Sequence, residues 1–171
     1  MNPRLTFPIP LGLIAVSLAI FLGTASATEV TSPTTPARPD NIIVTTAESG
    51  IVALAHAGHV VPLAVSATDF PGVVRAARDL QADFARVTGV TPSFGTDTVP
   101  STDTVILVGT LGKSALIDGL VKAGKLNADT IRGRWEAFQI ETVLHPLPGI
   151  ERALVIVGSD KRGTIYGIYE I

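Results

Sequence analysis

The chain has 171 residues, 46% hydrophobic and 16% charged, with 13 Lys and Arg against 15 Asp and Glu and no cysteine. This is enough for one domain with a core of its own, whereas a net charge of −2 with scattered cations, Lys161-Arg162 being the longest grouping, excludes the clustered Lys and Arg of a nucleic-acid surface. The lack of cysteine excludes thiolate zinc sites and cysteine nucleophiles, and leaves stability to packing, within the domain or against a neighbouring one.

Residues 1–27 combine an early positive charge at Arg4, an apolar segment over about residues 9–23, and small residues at Ala25 and Ala27. This is the pattern of a secretory signal peptide cleaved after Ala27, so the chain is expected to be secreted. The rival reading is an uncleaved anchor, but the apolar part falls short of the roughly 18–20 residues that span a bilayer and contains Pro8 and Pro10; no stable membrane anchor is expected. Residues 28–41, "TEVTSPTTPARPDN", are rich in Thr and Pro and read as a linker whose hydroxyls are possible sites of O-linked sugar.

The folded domain is expected over residues 42–171. "NIIVTTA" reads as a strand, and "IVALAH" and "HVVPLAVSA", punctuated by Gly50 and Gly58, as further short strands. In "DFPGVVRAARDLQADFARVTG", Val73, Ala77, Leu80, Phe84 and Val87 recur at helical spacing with charges on the other face, between Pro71 at the start and Gly89 at the end. "DTVILVG" over 103–109 reads as a buried strand and "KSALIDGLVKAG" as a short helix ended by Gly124. "WEAFQIETV" alternates, with Phe138 and Ile140 on one face against Gln139 and Glu141 on the other, as in a half-exposed strand. The turn "HPLPG" then leads to the strand "ALVIV" and a last helix. The order implies an α/β fold, a sandwich of a mixed sheet with helices packed on one face.

Several stretches invite chemical readings. "VILVGTLGKS" imitates a phosphate loop, but the pattern needs a glycine where Leu107 stands, and the plain reading is a strand–turn–helix connection. His56 and His59 in "HAGH" have a metal-like spacing, yet Gly58 between them suits a surface turn better. None of Ser66, Ser114 or Ser159 lies in a nucleophile elbow. Glu136, Glu141, Glu151 and Asp160 are carboxylates of the type that cleaves glycosides, though no spacing selects a pair. With one tryptophan and two tyrosines, the chain has few rings for stacking sugars, fewer than an isolated carbohydrate-binding module would need. No cofactor, nucleotide, metal or nucleic acid is expected.

The closing "GSDKRGTIYGIYEI" sets Asp160 to Gly163 as the turn into the last helix. Helix-start amides beside Lys161 and Arg162 would suit a sugar carboxylate or phosphate; the favoured alternative is that this turn packs against a neighbouring domain. Gly163 and Gly167, four apart, leave room on the helix for another backbone. Asp160, Lys161, Arg162 and Tyr166 are therefore the candidates for substrate binding or for an interface. The apolar stripe still runs at Ile171, as in a product cut short.

"ALVIVGSDKRGTIYGIYEI", with "GRWEAFQIETVLHPLPGIERALVIVGSD", "DFPGVVRAARDLQADFARVTG" and "ILVGTLGKSALIDGLVKAGKL", closely resembles the N-terminal domain of glycoside hydrolase family 115. The family comprises secreted α-glucuronidases that remove glucuronic acid, often 4-O-methylated, from xylan. The resemblance covers about residues 41–171, and "GSDKRGTIYGIYE" is its most specific part. It implies a domain similar to the second domain of β-hexosaminidases, set before a (β/α)₈ barrel that holds the catalytic carboxylates of an inverting reaction. That barrel is absent from this sequence, so no catalytic residue carries over and the fragment is expected to be inactive alone, meeting its xylan-type polysaccharide through the missing barrel. The alternative is a stand-alone secreted binding or interaction domain.

Overall fold

The computed structural model describes residues 52–171; the expected signal peptide, linker and "NIIVTTA" strand lie outside them. The described part opens with a two-stranded antiparallel hairpin, β1 (Ala55–His56) and β2 (His59–Val60). Its turn residues Ala57 and Gly58 both have positive φ, 50° and 79°, as a two-residue hairpin turn of matching twist demands. His56 and His59 face each other across it, exposed.

A five-stranded sheet in the order β4-β3-β5-β7-β6 follows. Its strands are β3 (Leu63–Val65), β4 (Phe94–Thr96), β5 (Thr104–Thr110), β6 (Phe138–Leu144) and β7 (Arg152–Gly158). β3, β4, β5 and β7 are parallel, and β6 pairs antiparallel to β7 at one edge. The α/β class and the mixed sheet match the sequence expectation. β3, β5 and β7 are buried on both faces, which is why they read as continuous apolar runs and not as alternations.

Three helices pack on this sheet: α1 (Pro71–Thr88), α2 (Ala115–Lys122) and α3 (Lys161–Tyr169). The helices do not share one face, however. Val73, Ala76 and Leu80 of α1 and Ile168 of α3 pack with Leu63, Val65, Ile106, Val108 and Ile156. Ile117 and Leu120 of α2, with Leu126, Ala128 and Ile131 after it, pack with Val105, Leu107, Val155 and Val157 on the other side. The handedness of crossovers explains the difference. α1 carries the chain from β3 outward to β4, whereas α2 carries it from β5 the opposite way, past β7 to the antiparallel edge strand β6 before the chain returns to β7; the two parallel connections, β3 to β4 and β5 to β7, thus run in opposite directions, and right-handed ones cover opposite faces.

Pro71 opens α1, and Gly89 ends it in the left-handed conformation with φ 74°, a geometry that costs a residue without Cβ least. Burial fades along the helix: Val73, Ala77 and Leu80 are buried as expected, but Val87 is 85% exposed. No helix of the described residues is long and apolar enough to cross a membrane.

Candidate functional site

The carboxyl ends of β3, β5 and β7 and the start of β6 lie along one edge of the sheet, as the pairing directions require. In open α/β sheets ligands bind at this edge, where helices after neighbouring strands depart to opposite faces. β3 and β5 form such a pair.

The crevice between β3 and β5 is closed by the chain itself. Asp69, only 4% exposed, accepts from the Phe70 amide through Oδ1 and from the Thr110 amide through Oδ2, each at 2.7 Å. The remaining amides of the glycine loop are also engaged: Leu111 donates to the Gly158 carbonyl, Gly112 to the Asp118 carboxylate, and Lys113 and Ser114 to the Thr110 carbonyl. Thr68 bridges the crevice by donating to the Lys113 carbonyl at 2.8 Å. A phosphate cradle needs converging free amides. Here all five are bonded within the chain, and Asp69 and Asp118 place negative charge on two of them.

Farther along the edge, the turn after β7 is tied to the segment before β6. Asp160 caps α3: its Oδ1 accepts from the Gly163 amide and its Oδ2 from the Glu136 amide, both at 2.8 Å. These amides, Gly163 first and then Glu136, with Arg162 adding to them, hold the Asp160 carboxyl below the usual carboxylate range against the opposing effect of burial. Ser159 completes the tie, its amide and its hydroxyl donating to the Ala137 carbonyl while its Oγ accepts from the Ala137 amide.

Glu136 sits at φ 54°, a left-handed conformation that a side chain adopts at a cost. Its carboxylate meets the Arg162 guanidinium at 2.7 Å, and Arg162 donates to the Tyr166 hydroxyl at 2.9 Å. The Tyr166 hydroxyl and then Glu136 push the Arg162 pKa further up. Asp160, Arg162 and Tyr166 are thus brought together in one bonded chain with Glu136, while Lys161 runs its stem toward Gly72 on α1.

The room left by Gly163 and Gly167 is filled from within the domain. A Cβ on Gly163 would collide with the Ala137 carbonyl oxygen, and one on Gly167 would lie 2.9 Å from Ile156 and 3.2 Å from Phe138. The backbone that approaches the helix, at Gly163, is that of Glu136 and Ala137 just before β6. Likewise the anion position at the start of α3 is taken by Asp160, and the Thr164 amide donates to the Asp160 carbonyl.

What faces solvent at this edge is Trp135, 83% exposed, with Tyr166 and Tyr169, 42% and 63% exposed, on the outer side of α3. Composition alone did not point to Trp135, because the strain at its neighbour Glu136 and the ties that hold it arise only in the folded chain. Of the other carboxylates, Glu141 lies on β6 and accepts from Gln139 at 2.6 Å. Glu151 and His145 line a shallow depression of about 490 Å³ with Asp103 and Lys125 near the opposite edge.

No protein-family profile matches the chain, and no curated protein matches it. Among solved structures it is similar to a family GH115 4-O-methyl-α-glucuronidase, BtGH115A, with specificity for decorated arabinogalactans. The two are 27% identical over 64% of this chain and 12% of that one, with a TM-score of 0.48. The chain therefore spans about an eighth of that enzyme's length.

Proposed function

We propose that this chain is the N-terminal α/β domain of a secreted glycoside hydrolase of the α-glucuronidase kind, serving as a rigid support beside a catalytic domain and carrying no catalysis of its own. The observation that carries this reading is the joint from Gly158 to Tyr169, the segment whose sequence resembles family 115 most specifically. Several of its residues hold the joint together. Asp160 caps the helix and holds Glu136, Gly163 and Gly167 admit the start of β6, and Thr164 bonds Thr110 at 2.7 Å. A motif spent on fixing one edge of a sheet suits a supporting domain.

In this reading the acid that protonates the leaving oxygen and the base that activates water belong to the catalytic domain. The carboxylates of the edge are otherwise occupied: Asp160 by two amides, Glu136 by Arg162 and Asp69 by two amides.

The test is the intact mass of the secreted product recognised by an antibody to this domain, together with its release of 4-O-methylglucuronic acid from glucuronoxylan and from a glucuronosylated arabinogalactan. A multidomain species that releases the acid supports the reading. A species no larger than the 17.8 kDa of the chain, inactive on both polymers, overturns it in favour of a stand-alone binding domain, for which the exposed Trp135 is the favouring observation.

A further inference from the structure

An open sheet leaves unpaired N–H and C=O groups at both edges, and proteins blunt them with short strands, Pro, Lys or bulges. At one edge β4 is only three residues long and set between Pro92 and Pro100. At the other, β6 runs seven residues, "FQIETVL", with no Pro, Lys or bulge, and pairs residue for residue with β7. Among the described residues, no backbone hydrogen bond outside that pairing reaches residues 138–144. One end of the strand is engaged, because Thr130 and the Asn127 carbonyl bond the Gln139 side chain. The other end stops at His145, whose φ of 48° turns the chain away. The free stretch is therefore residues 140–144. Along it Thr142 is exposed and Leu144 is 65% exposed, next to a half-buried Ile140.

We propose that residues 140–144 of β6 pair antiparallel with the same residues of a second copy of this chain, joining two sheets across a two-fold axis at Thr142. The free stretch selects this occupant because it is complementary to itself. Full overlap of residues 140–144 with their own copy sets Thr142 opposite Thr142 and, twice by symmetry, Ile140 opposite the exposed Leu144 of the other copy. The same register sets Glu141 opposite Val143, whereas a pairing centred on Glu141 would face two carboxylates directly and is disfavoured. A strand from an unrelated protein would require no such match of the stretch to itself. One pair of five-residue strands buries less than the roughly 1,200–2,000 Å² of a standard interface, so the dimer is weak and forms at high concentration. None of this rests on the glycosidase reading.

The test is sedimentation equilibrium of the full chain over about a hundredfold range of concentration. The mass is expected to rise from one chain toward two, and more readily in added salt, which screens the two Glu141 carboxylates lying on a diagonal roughly 7–8 Å apart. Thr142→Lys sets two like charges on the axis at an exposed position and is expected to weaken association at least about tenfold, with circular dichroism showing the variant folded. The chain has no cysteine, so a single one can be introduced without rivals. Directly opposed strand residues lie about 4.5–5.5 Å apart between Cα atoms, within disulfide reach. Under mild oxidation T142C is therefore expected to form a covalent dimer faster than V87C, a variant at an 85% exposed position on α1. A monomer at every concentration, a dimer that T142K leaves intact, or T142C crosslinking no faster than V87C overturns the proposal. A monomer whose outward amides in residues 140–144 exchange slowly with solvent overturns it in favour of a strand of the same chain, "NIIVTTA".

Discussion

Two aspartates act as internal anions, and each carries a prediction. Asp69 is buried with two amide donors on it. Asp69→Asn removes one acceptor and turns an amide toward a donor, so it is expected to cost about 1–3 kcal/mol, read as a lower urea midpoint. Asp160 is a helix cap, and Asp160→Ala is expected to cost about 1–2 kcal/mol at neutral pH. Its folded-state pKa lies below the usual value, so the folded protein holds that proton less tightly than the unfolded chain. Its contribution is complete above the ordinary carboxylate pKa and is lost as pH falls through the lower folded value. Asp160→Asn keeps an acceptor for one amide but no longer titrates, so the acid limb of its stability curve is expected to be flatter than that of the wild type in urea melts taken from pH 6 downward.

At the scale of elements, α3 has its partners inside the domain, on β7, β6, β5 and α1. Gly163→Ala and Gly167→Ala are both expected to destabilise by about 1–3 kcal/mol. Gly163→Ala is expected to cost more, because the atom it strikes is a backbone carbonyl, whereas Gly167→Ala meets side chains; urea midpoints with an unchanged slope check this. Legibility in the sequence follows how local each cause is. α1 could be read from Pro71, Gly89 and its periodicity, and β5 and β7 from their apolar runs. β4 could not be, because "FGT" becomes a strand only by pairing with β3. The exposure of Val87 also depends on where the sheet ends, which periodicity does not record. At the site, the turn from β7 into α3 was legible, but what fills the glycine notch and the anion position comes from Ala137 and Asp160 in the folded chain.

For the whole molecule, the edge that most resembles a nucleotide site is closed by the chain's own carboxylates, so ATP with Mg²⁺ is expected to leave the melting temperature unchanged; a concentration-dependent rise would show that the loop can open. The position of β7 matters for synthesis. β7 lies between β5 and β6 in the sheet yet is the next-to-last element along the described residues. While the chain emerges from a ribosome, β5 therefore waits with one side of its hydrogen-bonding ladder open until residue 158 is released. Before that moment "VILV" is an apolar edge available to other chains, and the growing protein has its greatest need of a chaperone just before its sheet is finished.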